Sequence, residues 1–174
     1  MRRIFQIYLT LFLIVFAFAS AAAQAVDKLP SVELMNMNGE KVNVADYSSN
    51  GKITVFSFWA TWCAPCKKEL VNLAELYDEW KEAYDMEIVA VSTDDQRTAA
   101  KVKPYVDGQG WEFDVLLDVN EDLKRALNFQ TVPYTLVKDQ KGNIVFEHSG
   151  YVEGDEYELL EVIEKLYAAA EEGK

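Results

Sequence analysis

Histidine and cysteine are scarce in this chain of 174 residues, which holds one of the first, His148, and two of the second, Cys63 and Cys66. A closed zinc site needs four ligands at short, fixed spacings, which this set does not readily supply, so no metal and no other cofactor is expected. Positive charge is also short, with 17 lysines and arginines against 29 aspartates and glutamates. Nucleic acid is therefore excluded as a partner, because its phosphates demand clustered basic side chains. There is one long apolar run, residues 4–19, which follows Met1-Arg2-Arg3 and precedes Ser20-Ala21-Ala22-Ala23-Gln24-Ala25. Basic, apolar and small-residue zones in that order are those of a secretory signal. Residues 1–25 are expected to be a signal peptide cut after Ala23 or Ala25, or else an uncleaved anchor, the run being slightly short of the ~20 apolar residues that span a bilayer. Only the uncleaved form would touch a membrane, and no cysteine follows the run at a lipoprotein position. Either route takes residues 26–174 to the periplasm or cell envelope. Loss of Arg2 and Arg3 leaves that part with 15 basic against 29 acidic side chains, a net charge of −14 that mostly serves solubility.

What the chain does have is 50% hydrophobic and 13% aromatic residues, enough for one packed core. Residues 31–37 and 41–44 alternate around Asn38-Gly39, a hairpin signature. Residues 53–59 are β-branched and aromatic on both faces, as a strand in the middle of a sheet is. From Pro65, which suits the first turn of a helix, Leu70, Leu73, Tyr77, Trp80 and Tyr84 recur at three and four residues and predict one apolar helix face. Residues 86–92 predict a second buried strand, residues 96–106 a helix ended by Gly108 and Gly110, residues 113–117 a shorter strand and residues 121–128 a short helix. Residues 132–137 and 143–148 predict a hairpin, and residues 155–170 a closing helix with Leu159, Leu160, Ile163, Leu166 and Tyr167 inward. No internal repeat and no low-complexity linker divides the chain. The element order indicates an α/β sandwich with a mixed sheet.

Cys63 and Cys66 enclose only Ala64-Pro65. As a staple they would do little, because a disulfide stabilises mainly by closing a loop in the unfolded chain and this loop is minimal. As metal ligands they fall short for zinc, but copper(I) accepts soft thiolates in smaller number, so a copper-delivery module is the second reading. The redox reading uses the whole pattern. Cys63 stands just before a helix, where unpaired N–H groups and the dipole favour a thiolate, and Cys66 lies one turn in, able to release a mixed disulfide formed at Cys63. Trp59 and Trp62 are candidates for an apolar collar round the pair, or for ordinary core and surface aromatics.

Residues 58–66, Phe58-Trp59-Ala60-Thr61-Trp62-Cys63-Ala64-Pro65-Cys66, together with Thr131-Val132-Pro133-Tyr134-Thr135, resemble the thioredoxin superfamily and within it the exported TlpA/ResA-like thiol-disulfide oxidoreductases. The resemblance spans roughly residues 26–172. It implies a thioredoxin-like sandwich, a mixed central sheet flanked by helices, with an N-terminal β-hairpin over residues 31–44 and an inserted helix and strand over residues 96–117. It also implies a redox-active disulfide of Cys63 and Cys66, a cis bond before Pro133 beside Cys63, and a substrate chain held by Trp62 and the Val132 backbone. Glu69 matches an acid that influences thiol ionisation in such proteins. Two departures stand out: Ser57 replaces the buried acid of cytosolic thioredoxins, throwing weight onto Glu69 or water, and Val71 replaces a proline, which implies a straighter helix.

Ala64-Pro65 offers neither charge nor donor to a thiolate, so the helix terminus is its main stabiliser and a reductant is expected rather than a strong oxidant. The expected partners are disulfides or thiols of other exported proteins and a membrane electron donor, in settings such as cytochrome c maturation or copper-site assembly. A thiol peroxidase of the same fold is a further alternative, disfavoured because the residues before Cys63 lack its Pro-x-x-x-Thr-x-x-Cys pattern. The acids Asp94-Asp95 and residues 153–161 read as docking surface or, by preference, as solvated faces.

Overall fold

The structure, a computed structural model, describes residues 27–173, and the expected signal segment 1–25 lies outside them. Strands β1 (Glu33–Asn36) and β2 (Lys41–Asn43) form the expected hairpin, and Gly39 takes the left-handed conformation its turn requires, φ 78°. A 3-10 turn, Val44–Ser49, leads into β3 (Ile53–Trp59), buried at all seven positions. Alternation sends Ile53, Val55 and Trp59 into one apolar cluster and Phe56 and Phe58 into the other, on opposite faces of the sheet.

Helix α1 (Ala64–Tyr84) buries Leu70, Leu73, Tyr77 and Trp80, the three-and-four spacing read from the sequence. Each such side chain removed from water is worth about 1.5–3 kcal/mol. Asp85 in the left-handed conformation ends it, and β4 (Met86–Ser92) follows parallel to β3. The next helix begins later than residue 96. The carboxylate of Asp95 draws the amides of Arg97 and Thr98 into a turn, a 3-10 segment Ala99–Lys101 follows, and α2 covers Val102–Gln109. Pro104 then sits in the first turn, where its missing N–H removes no intrahelical bond. Gly108 lies within α2, and Gly110 alone caps it, φ 66°.

Strand β5 (Asp114–Leu117), the short helix α3 (Asp122–Ala126), the hairpin of β6 (Tyr134–Lys138) and β7 (Ile144–Ser149), and helix α4 (Asp155–Glu172) complete the described chain. The strand order β2-β1-β5-β4-β3-β6-β7 makes a mixed seven-stranded sheet, parallel only across β3–β4–β5. Both expected additions, the N-terminal hairpin and the inserted helix with β5, are present and pair with each other through β1 and β5. Helices α1 and α4 cover one face, with Leu159 and Ile163 joining Leu70 and Leu73 in its cluster. Leu123, Leu127 and Phe129 cover the other. Among the described residues no helix is long and apolar enough to cross a membrane.

Candidate functional site

The site lies where β3 ends and α1 begins. Cys63 is the N-cap of α1, and its amide bonds back to the Ala60 carbonyl at 3.0 Å, which tightens the approach to the helix. Its sulfur accepts the Cys66 amide at 3.4 Å and is bonded to the Cys66 sulfur at 2.00 Å. That amide is one of the donors every helix N-terminus leaves unpaired, and aimed at sulfur it favours the thiolate of Cys63 in the reduced protein. Pro65 takes a first-turn position where no amide is needed.

The two cysteines are unequally exposed, Cys63 at 6% and Cys66 not at all. Cys63 is thus less open than a free helix-start thiol, because its bonded sulfur packs in the cluster containing Trp59 and Ala60, with Val132 against it. The Val132–Pro133 bond is cis, and Pro133 is buried. The collar of two tryptophans does not form. Trp59 is fully buried, its ring 5.7 Å from Tyr105 and 5.3 Å from Trp111, whereas Trp62 beside Cys63 is 65% exposed.

Glu69 lies one turn beyond Cys66 and is buried, not solvated. The sheet register explains its partners. Ser57 of β3 and Thr135 of β6 are paired across the strands, and both hydroxyls donate to this carboxylate, Thr135 Oγ1 to Oε1 at 2.5 Å and Ser57 Oγ to Oε2 at 3.4 Å. The serine that replaces an acid thus serves another acid, supplied by α1. Burial pushes the Glu69 carboxyl up to about 7; the Thr135 and Ser57 bonds pull the other way, and Asp155 and Glu156 push it further up.

Asp94 does not lie on the solvated face expected of it. It is buried, and it accepts the Thr61 amide at 2.7 Å, the Thr61 hydroxyl at 2.6 Å and the Ser92 hydroxyl at 2.9 Å. It therefore fastens the loop that carries Trp62 and Cys63. The available signal was its place just past the end of a buried parallel strand, where open α/β sheets gather their functional groups. Glu156, in the second acidic stretch, is also buried and accepts the Tyr151 hydroxyl at 3.0 Å and the Gly154 amide at 3.1 Å. Among the described residues no three histidine, cysteine, aspartate or glutamate side chains are grouped to hold a metal ion.

Residues 25–147 match the AhpC/TSA family. The thiol-disulfide oxidoreductase ResA of Bacillus subtilis is 31% identical over 136 residues, covering 78% of this chain and 73% of that protein. The sporulation thiol-disulfide oxidoreductase A of the same organism is 27% identical over 148 residues, 82% of this chain and 87% of that protein. Among solved structures, a thioredoxin-like protein from Porphyromonas gingivalis superposes with a TM-score of 0.72 at 42% identity, covering 80% of this chain and 92% of that one.

Proposed function

The chain belongs to the AhpC/TSA family and is a thiol-disulfide oxidoreductase of thioredoxin-like fold, and we propose that it reduces disulfides in other exported proteins through Cys63 and Cys66. The observation that carries this reading is the bonded pair at the start of α1, with the more exposed cysteine at the N-cap. In the reduced protein the Cys63 thiolate attacks one sulfur of a substrate disulfide, and the electron pair of that bond leaves on the other sulfur. Cys66 then loses its proton to Glu69, attacks Cys63 and expels the second substrate thiolate. Two electrons pass to the substrate, and the Cys63–Cys66 bond remains. Exposed Trp62 and the chain at Val132 and Pro133 are the surface on which a substrate strand rests. Residues 1–25 act as an export signal or an anchor, residues 26–174 form the catalytic domain, and a membrane donor re-reduces the pair in the periplasm or cell envelope. The setting is the assembly of cytochrome c or copper sites.

Equilibration with glutathione tests the direction. A reductant gives a potential between about −270 and −200 mV, and a value near −120 mV, that of the strongest oxidants, rejects the reductase role. Peroxide consumption by the reduced protein, or copper binding that survives while no disulfide is reduced, points to the peroxidase or copper-delivery alternative instead.

A further inference from the structure

A polar row crosses an otherwise apolar face of the sheet. Ser57 on β3 pairs with Thr135 on β6, and Thr135 with His148 on β7, so these three side chains line up from the middle of the sheet to its edge. Apolar residues flank the row two positions away, Val55 and Trp59 on β3, Val137 on β6 and Phe146 on β7. Glu69 rests on the inner two members of the row. Glu69, Thr135, His148, Tyr151 and Asp155, together with the apolar Leu73, Phe146 and Leu159, line a cavity of about 20 Å³, room for one water within reach of these polar groups. At its outer end His148 Nε2 is 3.2 Å from Asp155 Oδ2, and these side chains are 35% and 21% exposed.

We propose that His148, positioned by Asp155, is the proton outlet of Glu69: a water in this cavity carries the proton from the Glu69 carboxyl to His148, which passes it to solvent at the edge of the sheet. The inference rests on the redox reading of the pair. When Cys66 resolves the mixed disulfide, its S–H proton moves to the Glu69 carboxylate, giving a Cys66 thiolate and a neutral carboxyl. The thiolate's electron pair then forms the Cys63–Cys66 bond, which leaves the proton on a carboxyl that solvent barely reaches. Re-reduction runs the route backward, a proton returning through Glu69 to the Cys66 thiolate as the disulfide is cleaved. His148 can accept on one ring nitrogen while the other carries hydrogen, as a relay requires. The groups facing Glu69 are Ser57 and Thr135 from the sheet, His148 from β7, Tyr151 from the loop before α4, and Asp155, Glu156 and Glu158 from α4. Asp155 also accepts the Val152 amide at 2.8 Å, which fixes its orientation toward the histidine.

Two variants test this. His148→Ala slows steady-state turnover with a protein disulfide about fivefold in dilute buffer, less than the ~10²–10⁴ of a group touching the reacting atoms. Added imidazole restores the rate, and alkylation of Cys63 is unchanged. Asp155→Asn keeps the shape and an acceptor oxygen but removes a negative charge, so carbon NMR of the Glu69 carboxyl in the oxidised protein shows a midpoint below about 7. Turnover of His148→Ala equal to wild type, a loss that imidazole does not restore, or an unmoved Glu69 midpoint in Asp155→Asn overturns the proposal. A wild-type protein that reduces no disulfide sinks the functional reading instead, and the Asp155→Asn titration, which needs no substrate, still decides whether the cavity couples Glu69 to the sheet edge.

Discussion

Two buried carboxylates bracket the cysteine segment along the fold, Asp94 bonded to Thr61 before it and Glu69 one turn beyond Cys66, and their hydrogen-bond partners differ in kind. Asp94 accepts three hydrogen bonds, one from a backbone amide that can only donate, and so it is tied as an acceptor. Glu69 meets two hydroxyls, one of them at 3.4 Å, and hydroxyls donate or accept as the carboxyl requires. One acid ties down the loop that carries Thr61, and the other, one turn beyond Cys66, is the proton acceptor in the mechanism we propose. The donors around a buried carboxyl, more than its depth, decide which task it performs.

The largest expected effect that breaks this comparison is kinetic. Glu69→Gln slows release of the mixed disulfide by ~10²-fold or more and abolishes the inflection near pH 7 in that rate, whereas Asp94→Asn keeps the inflection. Next comes stability. Asp94→Ala removes the acceptor of the half-buried Thr61 amide and hydroxyl and of the Ser92 hydroxyl, and costs about 2–4 kcal/mol in denaturant unfolding, with the Glu69 midpoint unmoved.

A third prediction concerns the pH dependence of stability in the oxidised protein. The folded Glu69 carboxyl titrates near 7 and the unfolded one near 4.5, so the folded state keeps its proton longer. Stability from this group is full below pH 4.5 and is lost as pH rises through about 7. Glu69→Gln has no such slope. Its stability relative to wild type therefore climbs by at most ~3 kcal/mol over that window and then levels, a trend that urea midpoints at successive pH values measure. The smallest effects sharpen the comparison further. Thr135→Val removes the short bond that favours the ionised form and raises the Glu69 midpoint above about 7, and Ser57→Ala, removing the long one, raises it less.

Much of this arrangement is legible in the sequence, because local rules govern it. The apolar spacing of Leu70 to Trp80 gives the buried stripe of α1, the Asn38-Gly39 turn gives the hairpin, and the position of Cys63 before Pro65 gives the N-cap. Pairings between distant strands are not local. Nothing in the chain between residues 57 and 135 says that Ser57 and Thr135 share a register, so the hydroxyl cradle of Glu69 is visible only in the fold. The same holds for Asp94, whose neighbour Asp95 does form a surface pair with Arg97 and makes the dipeptide look uniformly solvated. The late start of α2 escapes periodicity for another reason: after the turn that Asp95 caps, the chain runs through a 3-10 segment, Ala99–Lys101, before the α-helix begins.

In the proposed mechanism Cys63 attacks and Cys66 releases. Incubating reduced Cys66→Ala with a protein disulfide such as insulin, then mapping the adduct by mass spectrometry, tests it most directly. A stable mixed disulfide at Cys63 is expected in that variant, and no adduct in Cys63→Ala. An adduct on Cys66 in Cys63→Ala, with Cys63 left free in its counterpart, contradicts it.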